Sequence, residues 1–141
     1  MSPRIFCFGA VVVDLIAHPV ERLPGAGDSV RSPSIQSSIG GCAANAATAL
    51  ARLEYPVHLC GAVGDDHLGH FLRTGLEREG VDLKHLSTHA GVPTGVTFVI
   101  NVEGEDRRFI SAMGANDAPW PMKIDGESLV AAEVVSLHAF G

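Results

Sequence analysis

Blocks of apolar and polar residues along the chain predict an α/β fold. A continuous apolar run from Ile5 to Val13 is typical of a buried strand, and a second such run covers Val57–Val63. Each run is followed further along the chain by a segment of helix-forming composition, at 42–53 and at about 66–79. This order of strand, helix, strand and helix predicts a parallel sheet with helices packed on it.

Polar residues mark where the second helix begins and ends. Asp65 or Asp66 fits the N-cap position, and Gly80 fits the C′ position that favours glycine. The segment His18–Ser38, in contrast, is rich in Pro, Gly and Ser and has no helical period. We therefore expect only a short polar strand there, near Ser29–Arg31.

The next part of the chain changes to the pattern of a β-hairpin. Thr94–Val102 and Arg107–Met113 predict two strands, which the turn-forming sequence Glu103–Asp106 joins. A short helix within 125–132 and a buried strand at Val134–Phe140 are expected to follow. No helix remains to cover that strand, so we expect the chain to be the front portion of a longer protein, or a partner to supply the rest.

Composition and charge limit the class of protein further. The chain has 141 residues, 46% of them hydrophobic, and a net charge of −6, which suits one globular domain. Basic residues do not cluster, so no nucleic-acid partner is expected. Without a long apolar span or a cationic leader, we expect no membrane partner and a cytoplasmic protein. The cysteines Cys7, Cys42 and Cys60 lack metal-site spacing and are expected to be buried free thiols.

Gly40–Ala47 is the stretch with the clearest candidate chemistry. Two glycines precede a run of very small residues, which predicts a helix buried on every side and a turn whose free N–H groups favour a polar or anionic ligand. Asn45 adds one side-chain donor and one acceptor to this apolar stretch. Its partner could be a ligand hydroxyl or a neighbouring backbone group, and the small residues alone could serve close helix packing.

Four segments, in this order and spacing, resemble the ribokinase-like carbohydrate kinases, the PfkB family. The segments are Phe8–Asp14, Gly40–Ala47, Gly61–Gly69, and the pair Thr94–Val96 and Met113–Asn116. The resemblance implies a three-layer, Rossmann-like α/β fold with a parallel sheet and a small β lid. Residues 1–141 would be the N-terminal part of that fold, with lid segments near 15–38 and 94–113.

The resemblance also implies a function and a set of site residues. The family transfers phosphate from ATP, with Mg²⁺, to a hydroxyl of a sugar, sugar phosphate or nucleoside. By resemblance, Asp14 and Asn45 hold substrate hydroxyls, and the backbone at Gly40 and Gly41 lets the substrate approach closely. The inward positions of the lid would be Thr97, Val99 and Ser111, and the lid would also form a homodimer contact.

Three positions depart from the pattern of this family. Val12 stands where ribokinases proper carry an asparagine that touches the sugar, and Cys42 stands where they carry a lysine. Both changes remove polar contacts, which argues against ribose itself as the substrate. Glu54 replaces the small residue, usually glycine, that follows the first helix. This departure leaves the position of the helix end undecided and does not affect the site.

The catalytic motif of the family, Asp-Thr-x-Gly-Ala-Gly-Asp, is expected beyond Gly141. Gly25–Asp28 matches the end of that motif letter for letter. It lacks the Asp-Thr lead, follows no buried strand and opens no helix, so we do not assign Asp28 as the catalytic base. The base and the ATP-binding residues are expected downstream, and this chain alone is expected to be inactive.

Several residues have a plainer structural interpretation beside the functional one. Asp14 could cap a strand end. His67 and His70 are one helical turn apart without a third ligand, so a solvated helix face is favoured over a metal site. Arg107 and Arg108 either lie on a solvated lid strand or contact an acidic or phosphorylated sugar.

Two other classes of function stay open. One is a non-catalytic sugar-binding or dimerisation module derived from a truncated kinase. The other is a dinucleotide-binding Rossmann domain, which is disfavoured because Gly9–Asp14 lacks the G-x-G-x-x-G pattern after the first strand.

Overall fold

The computed structural model describes residues 4–118 and 126–138. The elements follow one another as β1 (Ile5–Phe8), β2 (Val12–Val20), β3 (Ile35–Gly40), α1 (Cys42–Arg52), β4 (Val57–Gly64), α2 (His67–Arg78), β5 (Leu86–His89), β6 (Gly95–Val102), β7 (Arg108–Ala112), a 3-10 helix (Gly114–Asp117), α3 (Gly126–Val130) and β8 (Val134–Leu137).

The strands form two sheets of different character. The order β5-β4-β1-β8 is parallel throughout, as the sequence predicts. The order in the second sheet, which we call the lid, is β3-β2-β6-β7. Its two central strands β2 and β6 run parallel, and β3 and β7 pair antiparallel on either side. The prediction of an α/β fold with a parallel sheet and a small β lid is confirmed.

The main hydrophobic core lies between the parallel sheet and the helices α1 and α2. Alternate residues of the strands point into it, because successive side chains of a strand face opposite sides. The core is formed by apolar residues of β1, β4, α1 and α2, including Ile5, Cys7, Val57, Leu59, Ala43, Ala44, Ala47, Leu72 and Leu76. From the lid, Val13 belongs to the same core, and Leu15 and Ile39 pack against it.

Helix α1 is not buried on every side, which corrects the prediction for the small-residue run. The side chains of Ala43, Ala44 and Ala47 are fully buried, but Cys42 and Asn45 are exposed. Small residues thus allow close packing on one face and leave the other accessible. Cys42 also departs from the prediction of three buried thiols, although all three cysteines are free.

The apolar run Ile5–Val13 forms two strands rather than one. β1 ends at Phe8 and β2 starts at Val12, so the chain leaves the parallel sheet and enters the lid within this run. Gly9 makes the turn with φ +146°, and a Cβ there would lie 2.6 Å from the carbonyl oxygen of His138. Hydropathy is the same on both sides of the turn, so the pattern could not reveal it.

Two strands were absent from the sequence prediction. β3 pairs with β2 although its sequence Ile-Gln-Ser-Ser-Ile-Gly is weakly apolar, and the short β5 pairs with β4. The strand expected near Ser29–Arg31 does not form, because that segment is an irregular, largely exposed loop. The last predicted elements form in part, as α3 and β8; positions 125, 139 and 140 lie outside the described residues. The prediction that the last strand is buried is wrong for the described residues: β8 is an edge strand of its sheet, and Val134, Val135 and Leu137 are 44%, 47% and 78% exposed.

The helix ends agree with the predicted caps. Asp66 is the N-cap of α2 and accepts a hydrogen bond from the Gly69 amide at 2.8 Å, and Gly80 has φ +85°. Helix α1 ends with Glu54 in the left-handed region, at φ +63°. The Glu54 amide donates to Ala51 O and the Tyr55 amide to Leu50 O, which is a Schellman motif without its usual glycine.

Within the described ranges, none of the helices is both long and apolar enough to cross a membrane.

Candidate functional site

The chain passes between the two sheets at four places, which we call the hinge. The hinge comprises Gly9–Val11, Gly40–Gly41, Pro93–Gly95 and Met113–Asn116. These crossings are packed backbone to backbone. A Cβ on Gly41 would overlap the carbonyl oxygen of Ala10, and Gly41 has φ +91°, so only glycine fits there.

Asn116 joins the first crossing to the last. Its side-chain oxygen accepts from the Val11 amide at 2.9 Å, and its Nδ2 donates to Val11 O at 2.9 Å and to Met113 O at 2.8 Å. The residue is only 6% exposed. One buried amide therefore satisfies both backbone groups of the residue that leads into β2.

Asp66 and Thr94 hold the crossing that leads into β6. The Thr94 hydroxyl donates to Asp66 Oδ1 at 2.6 Å and accepts from the Gly64 amide at 2.9 Å, while the Thr94 amide donates to Asp66 Oδ2 at 2.8 Å. Burial of the Asp66 carboxyl raises its pKa, but the hydrogen bonds from Thr94 and Gly69 outweigh this, so the net pKa is lowered.

The lid carries a row of polar side chains, one on each of its strands. Asp14 on β2 lies directly opposite Ser38 on β3 and Thr97 on β6, and Thr97 lies opposite Ser111 on β7. Residues paired in this way share one face of a sheet. The Thr97 and Ser111 hydroxyls are 3.0 Å apart and hydrogen-bonded. We call Ser38, Asp14, Thr97 and Ser111 the polar row.

The next row on the same face is mostly apolar. Val99 lies two residues beyond Thr97 and is 6% exposed, between Ile16 and Phe109 in the pairing. The structure therefore brings Thr97, Val99 and Ser111 to one face of the lid, with Asp14. Val99 is too buried here to present much surface to a ligand.

Asp14 is the charged member of the polar row. Its side chain is partly buried, and burial raises the pKa of its carboxyl. Its carboxylate accepts no hydrogen bond from another described residue. A Cβ on Gly40 would overlap this carboxylate, so the absent side chain of Gly40 makes room for Asp14. A partly buried carboxylate without a partner is available to accept hydrogen bonds from a ligand.

Asn45 lies on the exposed face of α1, beside the lid. It lines a groove of about 310 Å³ together with Ser38, Ile39 and Thr48. Its side-chain amide has no hydrogen-bond partner among the described residues. The Thr48 hydroxyl oxygen is also buried and unpartnered in the described part of the chain. Ser38 belongs both to this groove and to the polar row, so the groove adjoins the side of the lid that carries Asp14.

Three contributing residues were not named as site residues from the sequence. Nothing in the sequence pointed to Ser38 as a site residue, because the strand that carries it, β3, was not predicted. Thr94 and Asn116 lie in the last of the four family-like segments, which was the available signal. The side chains of both are buried and fully engaged within the protein, so their part is to hold the lid.

The sequence match at Gly25–Asp28 lies in an exposed loop. Asp28 accepts from the Ser29 amide at 2.7 Å and forms an ion pair with Arg22 at 2.6 Å. No strand precedes it and no helix follows it within residues 21–34. This setting agrees with leaving Asp28 out of the catalytic role.

The two histidines considered as metal ligands, His67 and His70, are exposed on α2. Within 4–118 and 126–138, no group of three or more histidine, cysteine or acidic side chains could hold a metal ion.

The two arginines before and within β7 differ in their surroundings. Arg108 forms an ion pair with Glu105. Arg107 places its guanidinium carbon 5.6 Å from the centre of the Phe109 ring, and its amide donates to Asp106 Oδ1 at 2.8 Å. The Arg107 side chain has no ion-pair partner among the described residues.

Comparison with known proteins gives a consistent result. The family model described as "pfkB family carbohydrate kinase" matches residues 2–139. The ATP-dependent ribose-1-phosphate kinase of Halopiger xanaduensis is 36% identical over 134 residues, which are 95% of this chain and 45% of that protein. The ribokinase of Bacillus subtilis is 34% identical over 114 residues, 81% of this chain and 38% of that protein.

Solved structures with the same fold include two ribokinases. The Giardia lamblia enzyme superposes with a TM-score of 0.87 at 25% identity, over 96% of this chain and 44% of that one. The Arabidopsis thaliana enzyme, complexed with ribose and ATP, has a TM-score of 0.82 at 29% identity. The match covers 97% of this chain and 45% of that one. The chain thus spans less than half the length of the relatives it matches.

Proposed function

The chain belongs to the pfkB family of carbohydrate kinases, and from this premise we propose that it is the acceptor-binding part of a kinase. The reaction would be ATP-dependent phosphorylation of a hydroxyl of a sugar, sugar phosphate or nucleoside. The observation that supports this best is the polar row with its unpartnered Asp14 carboxylate, next to the exposed amide of Asn45.

Asp14 and Asn45 suit the recognition of a polyol. A sugar presents several hydroxyls on a small footprint, each able to donate and accept. The Asp14 carboxylate accepts two or more such hydrogen bonds, and the Asn45 amide adds one donor group and one acceptor. Gly40 keeps the Asp14 carboxylate close to the backbone that leads into α1. Thr97 and Ser111 extend the hydroxyl-binding surface across the lid.

The lid and the hinge contribute in another way. A lid that closes over the acceptor excludes water, which would otherwise accept the phosphoryl group. The hydrogen bonds of Asn116 to Val11 and of Asp66 to Thr94 fix where the two central lid strands, β2 and β6, start. The polar row is therefore carried on a rigid support, and positioning is most of what an enzyme contributes to phosphoryl transfer.

We propose that ATP and Mg²⁺ are held by residues other than the described ones. Asp28 is engaged in a loop, and within 4–118 and 126–138 no group of three or more histidine, cysteine or acidic side chains suits a metal. The base that takes the proton of the acceptor hydroxyl is likewise proposed to lie outside the described residues.

The lid also supports the proposal of a homodimer. On its face opposite the polar row, Ile35, Phe98 and Ile110 are 67%, 49% and 63% exposed. Apolar side chains clustered on a sheet face are typical of a surface that another chain covers. A second copy of this chain is the occupant we propose. Light scattering after size exclusion should show a dimer for the chain and a monomer for Phe98→Ser.

The non-catalytic module remains a second candidate, and one experiment separates it from the kinase. Residues 1–141 are joined to the C-terminal part of a ribokinase relative, and ADP release is measured with a panel of sugars, sugar phosphates and nucleosides. We expect turnover with at least one acceptor and a loss of about a hundredfold or more for Asp14→Asn. Asp28→Asn is the matched control and should change little.

Two results would contradict the proposal in different ways. Turnover that depends on Asp28 and not on Asp14 would mean that the acceptor site has been placed wrongly. A folded chimera that binds ATP but turns over no acceptor would favour the non-catalytic module.

A further inference from the structure

Arg107 differs from the ion-paired arginines: it lies on the face of the lid that carries the polar row, and no described acidic side chain pairs with it. Phe109 lies two residues before Ser111 on β7, so its ring is on the face that carries the polar row. The Arg107 guanidinium stacks over that ring at 5.6 Å. The cation is therefore on this face as well, near the end of the lid.

Arg108, the neighbouring residue, shows the contrast. It alternates with Phe109 and so points to the opposite face of the lid, where Glu105 pairs with it. Asp106, which precedes Arg107 in the chain, accepts a hydrogen bond from the Arg107 backbone amide, with its Oδ1 2.8 Å away. Two adjacent arginines thus differ: Arg108 is paired within the protein, whereas the exposed Arg107 side chain lies over the Phe109 ring and forms no ion pair with a described residue.

The spacing between Arg107 and the polar row fits an elongated acceptor. Ser111 lies four positions after Arg107, which is about 13 Å along an extended strand. Because the Arg107 side chain lies over Phe109, its guanidinium is closer to the polar row than the backbone of Arg107 is. A sugar whose hydroxyls bind Asp14 would leave room there for one further anionic group.

A guanidinium on an aromatic ring suits a phosphate monoester. Its planar fork of N–H donors matches two phosphate oxygens, and stacking restricts its motion before the ligand arrives. The Phe109 ring, which is 57% exposed, lies between the two polar ends. The arrangement has hydroxyl-binding groups at one end and a cation at the other.

We propose that the acceptor is a sugar that already carries a phosphate, and that Arg107 binds this phosphate while Asp14 binds the sugar hydroxyls. This inference rests on the proposed function and names its substrate class. It makes Arg107 a specificity-determining residue: it discriminates between a sugar phosphate and the free sugar.

The test is a titration of the ¹⁵N-labelled chain, followed by NMR, with D-ribose, D-ribose 1-phosphate, D-ribose 5-phosphate and inorganic phosphate. At least one sugar phosphate should bind more tightly than ribose. Arg107→Gln should weaken that binding by roughly tenfold or more, as expected for loss of a charged hydrogen-bonding partner, and leave ribose binding unchanged. Arg107→Lys should retain part of the advantage. Arg108→Gln is the matched control and should change binding less than twofold.

The outcomes separate this inference from the function on which it rests. Binding of ribose that depends on Asp14, with no gain from a phosphate, would overturn the role of Arg107 alone. So would a phosphate advantage that survives Arg107→Gln, or one that Arg108→Gln removes. Binding of none of these sugars, by the chain or by Asp14→Asn, would count against the proposed function and this inference together.

Discussion

Asp66, which binds Thr94 of the hinge, and Asp14 in the polar row are both partly buried, yet their carboxyl groups have opposite pKa shifts. Burial raises the pKa of Asp14. Burial also acts to raise the pKa of Asp66, but Thr94 and Gly69 donate hydrogen bonds to its carboxylate and lower the pKa below its usual range. The difference lies in the hydrogen-bond partners: Thr94 and Gly69 supply them to Asp66, whereas no described residue donates a hydrogen bond to the Asp14 carboxylate.

The same contrast holds for Asn116 in the hinge and Asn45 beside the lid. Asn116 is buried and uses both ends of its amide on backbone groups of Val11 and Met113. Asn45 is exposed, and its side chain has no partner among the described residues. Polar groups that are satisfied within the protein stabilise the fold, whereas unsatisfied ones near a groove are available for binding. Substitutions in the two regions should therefore affect different measurements.

The largest effect on stability is expected for Asn116→Ala. This change leaves the N–H and C=O of Val11 buried without partners and should lower the free energy of unfolding by about 2–4 kcal/mol. Urea unfolding of the 141-residue chain measures it. Asn45→Ala is the control and should cost less than about 0.5 kcal/mol, since the side chain is exposed and unpaired. Equal losses for the two variants would remove the distinction between hinge and site.

Asp66→Ala should have the next largest effect. It removes the N-cap of α2 and the hydrogen bonds to Thr94, so a loss of about 1–2 kcal/mol is expected in the same unfolding experiment. Asp65→Ala changes the exposed neighbouring aspartate and should cost less than about 0.5 kcal/mol. If both variants lost the same free energy of unfolding, the hydrogen bonds between Asp66 and Thr94 would contribute nothing to stability.

The pH dependence of stability should distinguish the two aspartates by sign. The contribution of Asp66 to the free energy of unfolding is present above the pKa of the unfolded state, near 3.8. It is lost as the pH falls through the lower pKa of the folded state. The contribution of Asp14 to the free energy of unfolding is fully present below pH 3.8, the pKa of the unfolded state. It is lost as the pH rises through the higher pKa of the folded state.

Unfolding free energies measured between pH 2 and pH 6 test these signs. Relative to Asp66→Asn, the wild-type chain should lose stability on going to the acid end of this range. Relative to Asp14→Asn, it should lose stability as the pH rises above about 4. Matching pH profiles for both variants would mean that the two carboxylates have the same environment.

Glu54→Gly offers a smaller effect outside both regions. Glu54 occupies the left-handed C′ position of α1 at φ +63°, which glycine adopts without strain. The change should raise the unfolding free energy by about 0.5–1 kcal/mol and leave ligand binding unchanged. Glu54→Ala, which keeps a Cβ, should not give this gain. Equal stability of the two variants would show that the backbone at Glu54 is not strained.

The sequence predicted some elements of the fold and missed others. Apolar runs and helix caps are local properties, so β1, β4, β8, α1, α2 and the hairpin of β6 and β7 could be placed, whereas the short strand β5 could not. The turn at Gly9 and the strand β3 could not, because they depend on which strand pairs with which, and Ile-Gln-Ser-Ser-Ile-Gly carries little local signal. Ser38 stayed hidden for the same reason.

The candidate site shows the same limit. Asp14, Gly40 and Asn45 could be named from motif resemblance, and the structure brings the first two into contact. That Gly40 makes room for the Asp14 carboxylate is a long-range contact that no local pattern contains. The hydrogen bonds of Asn116 to Val11 span 105 positions of the chain and are likewise visible only in the fold.

The central claim is that the unpartnered Asp14 carboxylate binds the hydroxyls of a sugar acceptor, and an equilibrium titration of Asp14→Asn tests it most directly. The ¹⁵N-labelled chain, Asp14→Asn and the control Asp65→Asn are titrated with the sugar or sugar phosphate that the wild type binds best. We expect Asp14→Asn to weaken binding at least about tenfold with an unchanged fold, and Asp65→Asn to bind like the wild type. Wild-type affinity in a folded Asp14→Asn chain would contradict the account.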